Sequence, residues 1–128
     1  FEMVVNKAAN IAQIGLGIDN NSESLTAAAG KIGSICWLGD GTVNYNGTVG
    51  AYLASPFSVG DVLGIDVDLT GKTIRFRVNG GAFSSNFSIS AIAGGAMFAF
   101  AQLTNNLDQI TANFIGKFAF TAPSTAWG

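Results

Sequence analysis

The residues that could do chemistry are few, and histidine is not among them. Without it the chain lacks the usual general base and the commonest transition-metal ligand. A Ser-His-Asp site is excluded. The single cysteine, Cys36, allows neither an internal disulfide nor a zinc-binding Cys-Cys or Cys-His spacing. It lies in the apolar run Ile35-Cys36-Trp37-Leu38 with no basic neighbour to lower its pKa, so it reads as a small buried hydrophobe. Trp37 reads as core beside it. Carboxylates are what remains. Asp66 and Asp68 stand two apart, which places both on one face of a strand. A suitably spaced pair of this kind is what glycoside hydrolysis needs. The same two residues alternate with apolar ones and would oppose Arg75 and Thr73. On that basis they form a solvated face with a cross-strand ion pair, and no catalytic residue is expected.

Two loops are rich in oxygen ligands: Asp19-Asn20-Asn21-Ser22-Glu23 and Asn105-Asn106-Leu107-Asp108. Hard cations want several such oxygens. Asx and Ser residues also simply build turns, and the spacing fits no calcium loop. We expect no metal and no cofactor. The glycine-rich pieces lack the Lys-Ser/Thr of a phosphate loop. Gly15-x-Gly17 reads as two strand glycines, because no helix follows.

The elements that position these residues are legible from period-two alternation. Ile65, Val67 and Leu69 alternate with Asp66 and Asp68; Ile74, Phe76 and Val78 alternate with Arg75 and Arg77. A two-residue turn at Thr70-Gly71 sets Val67 opposite Ile74, Ile65 opposite Phe76 and Asp66 opposite Arg75. One register satisfies both faces of this hairpin. Asn79-Gly80 is a favoured type I′ turn sequence. It predicts a return strand over 82–87 with Phe83 opposite Phe76.

Turn chemistry predicts further strands near 1–6, 11–18, 33–38, 41–45, 48–53, 62–69, 73–79, 96–103 and 109–115. No stretch has sustained helical periodicity, and no repeat or linker is visible. Many short strands imply one all-β domain over 1–128, a sandwich of two antiparallel sheets. A chain of 128 residues can bury one core. No run approaches the ~20 apolar residues of a membrane span, so no membrane insertion is expected. No signal peptide is visible, and Phe1 reads as a cut or processed end.

Six Lys and Arg against eight Asp and Glu give a net charge of −2. The bases are scattered, and the group Lys72, Arg75 and Arg77 faces Asp66 and Asp68. This argues against a nucleic-acid partner. Charged residues make up only 11 % of the chain and mean hydropathy is positive, +0.39. Such a surface suits coverage by a partner or by further copies of the chain.

The stretch GDVLGIDVDLTGKTIRFRVNGG, from Gly60 to Gly81, resembles the central signature of the SPRY domain family. Phe1-Glu2 followed by Ile14-Gly15-Leu16-Gly17-Ile18 is similar to that family's opening. Val43-Asn44-Tyr45-Asn46-Gly47 resembles its Tyr-x-Gly hairpin. Thr111-Ala112-Asn113-Phe114, then Phe118 to Pro123, resembles its close. The order and spacing of these pieces carry the likeness over nearly the whole chain. Two features depart from it: the usual Lys-Trp-Tyr segment is not present before Phe1, and the loops are poor in aromatics. The resemblance implies a jelly-roll β-sandwich related to the concanavalin A-like lectins, with partners docking on loops at one edge. By that resemblance the candidate partner-binding residues are Asp19, Asn20, Asn21, Asp40, Tyr45, Asn46, Tyr52, Asn105 and Asn106. Tyr and Asn in loops offer flat area and hydrogen bonds at small entropic cost. For Tyr45 and Tyr52 packing across Asn46-Gly47 is the competing reading. Trp127 either caps a sheet or packs on a neighbour.

Three function classes follow. The first is a structural or attachment module of a bacteriophage virion, in a tail or head fibre. It would be multimeric and would contact other virion proteins or a host cell-surface receptor, protein or glycan. The Ala/Gly/Asn/Thr-rich, charge-poor composition resembles phage structural proteins. The second is a cellular, cytoplasmic SPRY adaptor that binds a peptide of a partner protein. The third is a lectin-like carbohydrate binder or hydrolase, for which the Asp66/Asp68 spacing resembles that of lectin-like glucanases. The first is the reading we take forward.

Overall fold

The computed structural model describes residues 1–20, 32–114 and 119. Its strands are β1 (Glu2–Lys7), β2 (Gly15–Asp19), β3 (Ser34–Leu38), β4 (Thr42–Tyr45), β5 (Thr48–Leu53), β6 (Val62–Asp68), β7 (Thr73–Val78), β8 (Phe87–Ser88), β9 (Phe98–Gln102) and β10 (Gln109–Asn113). They form two antiparallel five-stranded sheets, ordered β10-β1-β6-β7-β8 and β5-β4-β3-β2-β9. Apolar side chains from the inner faces interdigitate between them, as two sheets with alternating faces require. Met3, Val5, Leu63, Ile65, Ile74 and Phe76 come from the first sheet; Leu16, Ile18, Ile35, Trp37 and Val43 come from the second. Trp37 joins the layers. Its ring meets Phe76 of β7 at 4.9 Å and the edge of Phe57 at 4.9 Å, and its indole N–H donates to the Ser55 carbonyl at 3.0 Å.

Strands β2 and β3 are buried on both faces almost throughout. The glycines of β2 allow this close approach. A Cβ at Gly17 would collide with the Ile35 carbonyl oxygen, and one at Gly15 would lie 2.6 Å from Cys36 Sγ. Cys36 is fully buried, and burial pushes its thiol up to about 12.

The β6–β7 pairing has the register that the alternation requires: Ile65 with Phe76, Asp66 with Arg75, Val67 with Ile74. The turn differs from expectation. It is a four-residue loop over 69–72, with the positive φ (53°) at Lys72. The Asp68 carboxylate takes the Gly71 N–H at 2.7 Å, which replaces a last ladder pair between Leu69 and Lys72. The register survives because a two-residue and a four-residue loop centred on the same bond pair the same strand residues.

Asn79-Gly80 is the expected tight turn, with φ of 50° and 70° and Gly81 N–H bonded to the Val78 carbonyl at 2.9 Å. The strand expected after it does not form over 82–87; β8 begins only at Phe87. Ser84 is the cause. Its N–H meets the Phe76 carbonyl at 2.7 Å, but its Oγ also accepts the Phe76 N–H at 3.0 Å. A side chain thus takes the place of a ladder bond, and the chain slips. Phe83 does not oppose Phe76 in the core. It lies on the outer face beneath the guanidinium groups of Arg75 and Arg77, at 4.4 and 4.7 Å. The strand expected over 11–18 also starts late. Residues Ile11–Gln13 make one 3-10 turn, capped by the Asn10 side chain accepting the Ala12 N–H.

Candidate functional site

The proposed binding residues divide between opposite ends of the second sheet. At one end the chain leaves β2 and turns from β4 into β5. Asn20 donates its N–H to the Gly33 carbonyl at 3.0 Å and its side-chain amide to the Ile92 carbonyl at 3.3 Å. The Asn46 side-chain oxygen accepts the Gly33 N–H at 3.0 Å, and the Asn46 N–H bonds the Ser34 carbonyl at 2.9 Å. Positive φ at Asn46 (47°) and Gly47 (87°) makes this a type I′ hairpin turn. Four loop segments are thereby fixed around Gly33. Beside it Ile32 is 77 % exposed, a large apolar side chain in a rigid polar corner.

Tyr45 and Tyr52 border this corner but face inward. Their rings lie 5.7 Å apart across β4 and β5. Tyr52 stacks on Phe87 of the other sheet, centroids 4.7 Å and planes 13° apart. Both hydroxyls hold the segment after β8: Tyr52 donates to the Ser88 carbonyl at 3.1 Å, and Tyr45 accepts the Ala91 N–H at 2.9 Å. Burial and the neighbouring Tyr45 both raise the Tyr52 pKa. The packing reading describes these tyrosines.

Asp40, Asn105 and Asn106 lie at the far end, where β2 begins. Gly15 pairs there with Leu38 and Gln102. Asp40 accepts the Thr42 N–H at 2.8 Å and shapes the β3–β4 turn. Asn105 and Asn106 are exposed, in a loop organised by Asp108. That carboxylate accepts N–H groups of Ala9 at 2.8 Å, Asn105 at 2.9 Å and Thr104 at 3.2 Å. The hydrogen bond from Ala9, opposed in part by burial and reinforced by Asn105 and Thr104, holds its pKa below the ordinary value of 3.8. Asp19, expected in a loop, is the last residue of β2 and only 3 % exposed. Asn21 lies outside the described residues, as do Phe118, Pro123 and Trp127.

The two carboxylates of the glucanase-like spacing both have partners within the fold. Asp66 pairs with Arg75 Nε at 2.7 Å and Asp68 caps Gly71. Asp61 accepts the Ser58 N–H and the Asn79 amide, each at 2.7 Å, and Glu2 accepts the Ala119 N–H at 2.7 Å. Each holds a structural position. The face carrying Asp66 is not solvated as expected, since Asp66 is 8 % exposed. Arg75, which pairs with it, lies over the displaced Phe83 ring. Among the described residues no three His, Cys, Asp or Glu side chains converge on a common metal position, and no helix is long and apolar enough to cross a membrane.

Set beside solved structures, the chain superposes on the SPRY domain of human HERC1 with a TM-score of 0.70, over 85 % of this chain and 69 % of that one. The fold is SPRY-like. Sequence identity across the superposition is 14 %, so the SPRY-like likeness is one of architecture. No family model matches the sequence, and no curated protein is similar to it.

The exposed apolar residue at this corner that sequence reasoning missed is Ile32. Its signal was an apolar residue standing alone between Lys31 and Gly33, outside any alternating pattern.

Proposed function

We propose that this domain is a non-catalytic recognition module that binds a protein partner through the corner formed by Asn20, Ile32 and Asn46. The observation that carries this reading is an exposed large apolar side chain on a backbone cross-braced by four hydrogen bonds. A rigid corner loses little entropy on binding, and a central apolar anchor with a polar rim is how interfaces concentrate their energy. The SPRY-like architecture supports the same reading.

The finer reading is a bacteriophage virion component, a fibre or decoration module displayed in several copies outside the cell. Its support is the charge-poor, Ala/Gly/Asn/Thr-rich composition. Weak single contacts become effective when several copies engage together. A cellular adaptor is the alternative. Neighbouring capsid and tail genes would favour the virion; their absence would favour the adaptor. The corner is tested by capture experiments with Ile32→Asp, in which partner binding falls while the thermal melt is unchanged.

A further inference from the structure

Val49 and Leu53, both on β5, are each 76 % exposed. Pairing with β4 fixes their direction. Leu53 pairs with Thr42, next to the inward pair Val43–Tyr52, so it faces out. Val49 follows Thr48, which pairs with inward Tyr45, so it faces out as well. Ala51 precedes inward Tyr52 and stands between them, half-buried. The outer face of β5 thus carries an apolar stripe, Val49-Ala51-Leu53.

Among the described residues β5 is an edge strand, paired with β4 alone. Its backbone does not invite a further strand. Between the Tyr45–Thr48 and Val43–Tyr52 pairs, β5 sets Val49, Gly50 and Ala51 against Asn44 of β4. Gly50, at φ 66°, gives its N–H to the Asn44 side chain at 2.8 Å. A bulge of this kind interrupts an edge ladder. What β5 offers is the side chains of its outer face. Charge says what fits them. No charged residue occurs between Asp40 and Asp61. In a two-fold contact the same patch meets itself, so a charge beside the axis would be set against its like. Here there is none. The stripe is also its own complement: a two-fold axis at Ala51 sets Val49 against Leu53 of a second copy, and Leu53 against Val49. The small side chain at the axis lets the two strands approach.

We infer that the outer face of β5 is a self-association surface, on which a second copy of this chain docks antiparallel about a two-fold axis at Ala51. A patch centred on three side chains is smaller than the roughly 1,200 Å² at which stable interfaces begin. The contact is therefore weak between free domains and becomes effective where copies are held side by side. The inference deepens the multi-copy reading proposed above and uses residues other than Asn20, Ile32 and Asn46.

The test is sedimentation equilibrium of the domain from micromolar to millimolar concentration, with thermal melts as the control. A monomer–dimer equilibrium is expected. Leu53→Asp and Val49→Lys should each weaken it by about tenfold or more. The double variant Val49→Lys with Leu53→Asp should restore it, because each lysine then meets the aspartate of the other copy. The restored dimer should weaken as salt is added, and the wild-type dimer should not. Melts should stay near wild type, since both positions are exposed. If a charged variant does not fold, Leu53→Ser should weaken the dimer in the same direction. A protein that is monomeric at millimolar concentration would overturn the inference. A dimer that Leu53→Asp leaves intact would do so too, by placing the contact elsewhere. So would a double variant that stays monomeric, since the two-fold register requires its rescue. Because Ile32→Asp capture reports only the corner, a failure here leaves the proposed function standing, and the reverse.

Discussion

Tyr52 on β5 and Phe87 on β8 stack across the gap between the sheets, with ring planes 13° apart and centroids 4.7 Å apart. The two edge strands are thus closed on each other, and the Tyr52 hydroxyl is anchored on the Ser88 carbonyl. Tyr52→Phe should cost about 0.5–1.5 kcal/mol, the net worth of one hydrogen bond. Tyr52→Ala should cost about 3 kcal/mol or more, because the stack is lost as well. Chemical denaturation of the two variants measures both.

The raised Tyr52 pKa predicts an alkaline limit. The folded state holds the phenol proton more tightly than the unfolded chain does. Stability is therefore intact below the ordinary value of 10.0 and falls as pH rises from there through the raised value. The Tyr52→Phe variant should show a smaller loss over that range in melts recorded against pH.

Asp108 predicts the opposite limit. Its pKa is lowered in the folded state, first by the hydrogen bond from Ala9. Its contribution is present above the ordinary value of 3.8 and is lost as pH falls through the lowered one. Asp108→Asn should flatten the acid side of the stability profile. It should also speed amide exchange at Ala9, Thr104 and Asn105.

Cys36 should be inert in the folded protein. A thiol pushed up to about 12 by burial carries almost no thiolate at neutral pH. A thiol reagent should label it only in denaturant. Gly17→Ala should destabilise the domain by about 3 kcal/mol or more, since the added methyl meets the Ile35 carbonyl and not a movable side chain.

The Asp66–Arg75 pair should couple to Phe83. With Asp66 buried and Arg75 resting on the ring, Arg75→Ala should cost about 1–3 kcal/mol, more than an exposed pair at about 0–1 kcal/mol. Phe83→Ala should lower the energy of the pair in a double-mutant cycle by opening it to water. Screens against polysaccharides should release no reducing ends, and Asp66→Asn with Asp68→Asn should change nothing in them.

The sheets were legible because alternation on β6 and β7 allows one register that puts Ile65, Val67, Ile74, Phe76 and Val78 inward. The departures are places where a polar side chain replaces a backbone partner. Asp68 reshaped the 69–72 loop, Asn10 turned 11–13 into a 3-10 turn, and Ser84 displaced Phe83. Local hydrogen bonding of this kind competes with the ladder and leaves no trace in hydrophobic period. The candidate site was less legible. Loop Asn and Tyr residues look alike in sequence whether they recognise a partner or brace the fold. Here Tyr45, Tyr52 and Asp40 brace it, and Asp19 ends a buried strand. Exposure of Ile32 depends on how β2, β4 and the 88–92 segment converge, which one-dimensional pattern does not encode.

The central claim, recognition through the Asn20–Ile32–Asn46 corner, is tested most directly by comparing wild type with Ile32→Asp. The immobilised domain is challenged with purified particles and with host surface extract, and melts of both forms are recorded. The account predicts a partner retained by wild type and lost with Ile32→Asp, at unchanged melting temperature. A partner retained equally by both forms would contradict it and move the working surface elsewhere on the sandwich.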